Sequence, residues 1–138
     1  MTMLKVLPYD EMKKQITNAQ STYNELLPQV AKKIVDNSNE ISNKISYLIA
    51  GAITFNKAYQ QISLYDEVLS QITRIRYLSI VRDFYRAGHA LSLSDNKLEK
   101  ELYLATIKEI VEEMNELGYA CSATNPFSGI KITFRELK

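Results

Sequence analysis

One apolar stripe constrains the fold more than any other feature of the chain. Ile41, Ile45, Leu48, Ala52, Phe55, Tyr59 and Ile62 follow one another at steps of 4, 3, 4, 3, 4 and 3 residues. That period lays every one of them along a single face of an α-helix. Such a stripe must be covered by other helices or by a second molecule. Asn37 is a candidate N-cap for this helix, with Glu40 three residues on to reach back to it. Gly51 interrupts it, either weakening the helix or admitting a close neighbour.

The same period runs through most of the chain. From Asp10 to about Asn24, Met12, Ile16, Ala19 and Tyr23 share a face. Pro28 then kinks that helix or opens a new one near Leu27, because proline removes a backbone donor. Val30, Ile34 and Val35 carry the pattern on to Asp36. Ser63 opens the next helix, which the pattern extends to about Ala90. Its apolar residues divide into two sets, Ile72, Ile75 and Leu78 against Leu69, Ile80, Phe84 and Ala87. A helix apolar on two sides belongs in the middle of a bundle. Asp95 is a cap candidate for the last helix, where Tyr103, Ile107, Ile110, Met114 and Leu117 repeat before Gly118. Gly118 stands where a left-handed C-terminal cap needs a residue without a Cβ.

Beyond Gly118 the period changes to two. Residues 119–123 and the strictly alternating 130–134 flank a segment holding Asn-Pro and Ser-Gly, which reads as a β-hairpin. Met3 to Leu7 is the candidate for a third strand. The expected fold is mainly α, of the α+β kind: four to five helices forming a bundle, with a small C-terminal hairpin over residues 119–134. The 138 residues suit a single domain spanning 1–138.

Composition excludes several functions. There are 17 basic and 16 acidic residues, which excludes a polybasic tail and an acidic disordered chain. One cysteine, Cys121, and one histidine, His89, cannot make an internal disulfide or a Cys/His zinc site. A solitary cysteine fits a reducing, cytoplasmic setting. The N-terminus lacks a signal-peptide apolar region, and the longest apolar run, residues 45–55, is too short to span a bilayer. The four glycines are isolated, so no phosphate-cradling glycine loop exists. No cofactor and no membrane contact are expected.

Three constellations have chemical potential. Cys121 and His89 could pair as nucleophile and base, although a capping histidine and a half-buried thiol explain them as well. Glu109, Glu112, Glu113 and Glu116 share turns of the last helix and could hold a divalent cation. All-α nucleotide pyrophosphatases use such Glu-x-x-Glu pairs, but with a second acidic helix that this chain lacks; a solvated acidic face is the simpler reading. The third is an arginine set, Arg74, Arg76, Arg82 and Arg86. On one continuous helix, Arg74, Arg82, Tyr85, Arg86 and His89 fall within an arc of roughly 120°. Arginine interleaved with aromatic rings suits an acidic protein face, or phosphates and bases. The last helix, with three Lys and six Glu over residues 97–118, could instead neutralise it internally. A helix set followed by a hairpin has the outline of a winged helix, but the helix before the hairpin is acidic where DNA contact needs basic residues.

The tail Glu116-Leu-Gly-Tyr119, followed by Ile130-Lys-Ile-Thr-Phe134, resembles the end of many small bacteriophage proteins. The resemblance implies a phage or mobile-element origin and transfers no functional residues. The functional expectation is a non-catalytic intracellular interaction protein that binds a macromolecule or itself, as a homodimer or higher oligomer. Its contact residues would be Arg74, Arg82, Tyr85, Arg86 and His89, with the seam from Ile41 to Ile62 as a further contact face. The alternative is a nucleic-acid or nucleotide binder using the Arg74–Arg86 surface.

Overall fold

A computed structural model of the chain describes residues 4–124 and 129–134. Among these residues it is mainly helical, with five helices and a three-stranded antiparallel sheet. In chain order the elements are α1 (Tyr9–Asp36), α2 (Asn39–Phe55), β1 (Tyr59–Ile62), α3 (Tyr65–Ile75), α4 (Ser79–Ala90), α5 (Asp95–Glu116), β2 (Ala120–Ala123) and β3 (Ile130–Thr133).

α1 passes straight through Pro28 for 28 residues. Proline removes one intrahelical bond there. The side-chain amide of Gln29 donates to the Glu25 carbonyl close by (3.2 Å). The C-terminal half of α1 lies against α4 and α5, burying Tyr23, Val30, Ala31 and Ile34. α2 is capped by Ser38, whose Oγ accepts from the Ile41 N–H at 3.2 Å, and not by Asn37. Ile41, Ile45, Leu48 and Ala52 enter the core, so this part of the stripe is covered by the chain's own fold. The helix then stops. Asn56 takes the left-handed conformation at φ 50°, which asparagine tolerates better than most residues. Tyr59 and Ile62 therefore lie on β1 instead of extending the helical seam.

The long helix expected over residues 63–90 is two helices. The chain turns through Arg76, Tyr77 and Leu78, and Leu78 is extended at φ −65°, ψ 140° before α4 begins. The two apolar sets divide only in part between the helices: Ile72 and Ile75 are buried from α3 with Val68, and Phe84 and Ala87 from α4 with Val81, but Leu69 lies on α3 and Leu78 lies between the helices. Ser94, not Asp95, caps α5 by accepting from the Lys97 N–H at 3.2 Å. At its far end Gly118, at φ 96°, closes a six-residue cap: the Tyr119 N–H reaches the Met114 carbonyl at 3.1 Å and the Gly118 N–H reaches Asn115 at 3.0 Å.

The sheet has the order β1-β3-β2, with Tyr59 opposite Thr133 and Ala120 opposite Thr133 from the other side. Ile130 and Ile132 point into the core from the central strand. The third strand is thus β1 from mid-chain. Residues 4–7 form no strand and are exposed, while Met3 lies outside the described residues, as does the expected turn over 125–128. β1 reaches the sheet because α2 ends early and delivers the chain beside the hairpin, where the Phe134 N–H donates to the Ala58 carbonyl at 2.7 Å.

Candidate functional site

The break at residues 76–78 decides the fate of the arginine set. Arg74 ends α3, whereas Arg82, Tyr85, Arg86 and His89 lie on α4, so the common arc of one continuous helix does not exist. Arg74 pairs with Glu40 of α2, Nη2 to Oε1 at 2.7 Å. Arg82 is exposed. Arg86, also exposed, lies 3.8 Å from Asp83 one turn back. Tyr85 is turned inward, only 4% exposed, with its ring edge-on to Phe84 at 5.8 Å. Phe84 in turn stacks on Tyr23 of α1 at 5.0 Å.

The residue that joins this region is Arg76. Its guanidinium carbon lies 3.9 Å from the Tyr85 ring centroid, and Nη2 lies 3.4 Å from Asp95 Oδ2. His89 Nε2 meets the other oxygen of the same carboxylate at 2.6 Å. Asp95 is thus held from both sides, and the hydrogen bond from His89, followed by the bond and charge of Arg76, keeps its carboxyl below the usual range. Tyr85 shifts the other way: burial raises its phenol, partly opposed by Arg76. The Tyr85 hydroxyl is buried without a hydrogen-bond partner among the described residues. This cluster ties the end of α4 to the start of α5. The acidic helix does engage the basic set, but through Asp95 in its first turn and not through its glutamates.

Those glutamates face elsewhere. Glu109 lies 3.9 Å from Lys32 of α1. Glu113 is half-buried, and burial, then the neighbouring Glu109 charge, raises its carboxyl. Glu112 borders a groove of about 390 Å³ between α1 and α5, and Glu116 is exposed. Among the described residues, no group of three or more His, Cys, Asp or Glu side chains could hold a metal ion. Cys121 is buried on β2, where desolvation pushes its thiol up to about 11, and His89 is occupied with Asp95. A thiol held neutral in this way is a poor nucleophile.

A second surface, expected from sequence only as one face of the first helix, is apolar. Tyr9, Met12, Ile16, Ala19, Tyr23, Leu26 and Val30 follow one another along α1 at alternating steps of three and four. From Tyr23 onward this stripe enters the core. Before it, the helix stands clear of the body, with Tyr9 68%, Met12 37% and Ile16 46% exposed. Leu4, Val6 and Leu7 continue the exposed apolar surface toward the N-terminus. The signal for the face was present in the spacing; what sequence could not show is that the rest of the chain leaves it bare.

Among the described residues, no helix is long and apolar enough to cross a membrane. Comparison with known proteins finds no family model, no curated protein and no solved structure that matches the chain.

Proposed function

We propose that this is a non-catalytic interaction protein that self-associates through the projecting first half of α1. The observation that carries the reading is the stripe itself: one three–four apolar seam is buried from Tyr23 to Ile34 and continues bare from Ile16 back to Tyr9. Residues 9–22 extend about 21 Å as helix. A helical segment of this length gains little from propensity alone, and burial of its seam is what stabilises it.

The seam complements itself. When two copies are laid antiparallel with the two-fold axis beside Lys14, Tyr9 falls opposite Ala19 of the second copy, and Met12 falls opposite Ile16. Tyr9 then meets the small Ala19, and Met12 meets Ile16 of similar volume, an apolar register compatible with knobs-into-holes packing. A two-fold axis uses the same surface on both partners and closes the assembly at two. It also sends the two globular bodies to opposite ends. The lone buried cysteine is compatible with a reducing, intracellular setting.

An interface of this extent lies at the small end of stable ones, so dimerisation with a Kd of about 1–100 µM is expected. Sedimentation velocity over a concentration series tests it. The mass should rise from 15.8 kDa to twice that value, and Ile16→Glu should return it to a monomer that still folds and melts as the wild type does below its dimerisation concentration. A wild-type monomer at every concentration sinks the reading, and so does a dimer indifferent to Ile16→Glu.

A further inference from the structure

A polar cleft of about 580 Å³ opens where the end of α1, the first turn of α2 and the last turns of α3 meet. Its volume is that of a small-molecule site. The decisive residue is Gln71. It occupies the buried face of α3 together with Val68, Ile72 and Ile75 and is only 4% exposed. A polar side chain at such a position is uncommon unless a partner satisfies it. Gln71 borders the cleft, and its amide keeps a narrow contact with solvent there without a side-chain hydrogen-bond partner among the described residues.

The surrounding groups are already engaged in ways that fix them. Asn37 donates its amide to the Lys33 carbonyl at 2.8 Å, leaving its own side-chain oxygen as an acceptor. Arg74 is held at 2.7 Å by Glu40, which presents its remaining N–H groups along the wall. Lys33 adds a second cation at the mouth. The first turn of α2 contributes the positive end of a 17-residue helix. Tyr77 stands at the rim, 70% exposed, as a free aromatic face.

These features select a ligand with three parts. The unclaimed amide wants an edge that both donates and accepts, as a nucleobase edge does. Glu40 offsets Arg74 within the cleft, and Lys33 with the helix start leaves a net positive end that suits an anion. The exposed ring wants a flat partner to stack on. We propose that this cleft binds a nucleoside monophosphate, with Gln71 on the base edge, Tyr77 against the base face, and Arg74 and Lys33 at the phosphate. The proposal goes beyond self-association and does not depend on it. Of the arginine set expected from sequence it uses Arg74 alone.

Isothermal titration with AMP, GMP, CMP, UMP and inorganic phosphate tests it on the full chain. At least one nucleotide should bind with a Kd below about 1 mM, and inorganic phosphate at least about tenfold more weakly. Gln71→Met keeps length and volume while removing the amide, and should weaken nucleotide binding about tenfold. Tyr77→Ala removes an exposed ring without touching the core and should weaken it about threefold, which preserves the test if the Gln71 variant fails to fold. Ile16→Glu and Arg86→Ala should bind like the wild type, so that failure of the dimer leaves this result standing. The proposal is overturned if no nucleotide binds at about 5 mM, if phosphate alone binds as well as the nucleotides, or if removing Tyr77 and the Gln71 amide changes nothing.

Discussion

Gly88 and Leu98 touch across the junction of α4 and α5 so closely that a Cβ on Gly88 would sit 2.3 Å from Leu98 Cδ2 and 3.1 Å from its Cγ. Leu98 is fully buried, so any shift of its side chain away from a new Cβ would have to be taken up inside the core. The absence of a side chain at residue 88 is therefore what lets the first turn of α5 settle against the last turn of α4. The same contact positions Asp95 beside His89.

Gly88→Ala tests this contact. Helix propensity alone would favour alanine by about 1 kcal/mol. The overpacking opposes it with about 1–3 kcal/mol, and buried Leu98 places the balance on the destabilising side. A net loss of up to about 2 kcal/mol is expected, read as a melting temperature lower by up to about 6 °C. Shortening Leu98 to alanine should remove most of that penalty, so that the double variant shows a positive coupling in a mutant cycle.

Asp95 makes an acid-sensitive contribution to stability. Its folded carboxyl is held below the ordinary 3.8, so between those two values the unfolded chain binds more protons than the folded one. The contribution is complete above pH 3.8 and disappears as the pH falls through the depressed folded value. Asp95→Asn should lower the melting temperature by about 1–2 °C near neutrality, the scale of an exposed pair. The gap between variant and wild type should close in strongly acidic buffer. A gap that persists there would show that the carboxylate charge is not its source.

Cys121 should be slow toward thiol reagents. Its thiol is pushed up to about 11 by burial, so little thiolate exists near neutrality. Reaction with an aromatic disulfide at pH 8 should run at least about 100-fold slower in the native protein than in denaturant, and should follow opening of the sheet. Rapid native labelling would mean that β2 is open more often than its packing indicates.

How far the fold could be read from sequence differs from element to element. Ile41 to Ala52, Tyr103 to Met114 and the alternation of Ile130 and Ile132 all land in the core, because a regular period is itself the record of one covered face. Gly118 closes α5 as its position implies, since a positive φ is a local demand. Tyr59 and Ile62 mislead because they fall in phase with the helical stripe by coincidence, and Asn56 was the stop signal that the count passed over. Arg76-Tyr77-Leu78 contains neither glycine nor proline, so nothing local announces the break, and the two-sided apolar pattern fits two helices only in part, since Leu69 stands on the first of them with the opposite set. For the surfaces, an exposed seam on α1 and an unanswered amide at Gln71 are visible only when the covering elements are in place.

The order β1-β3-β2 has a temporal consequence. Among the described residues β3 is the last of eight elements, yet it is the plank on which both other strands hang. Since β1 and β2 have no hydrogen bonds to each other, neither can be laid down early during synthesis. The helices can assemble while the chain is still lengthening, but the sheet stays unzipped until Thr133 arrives.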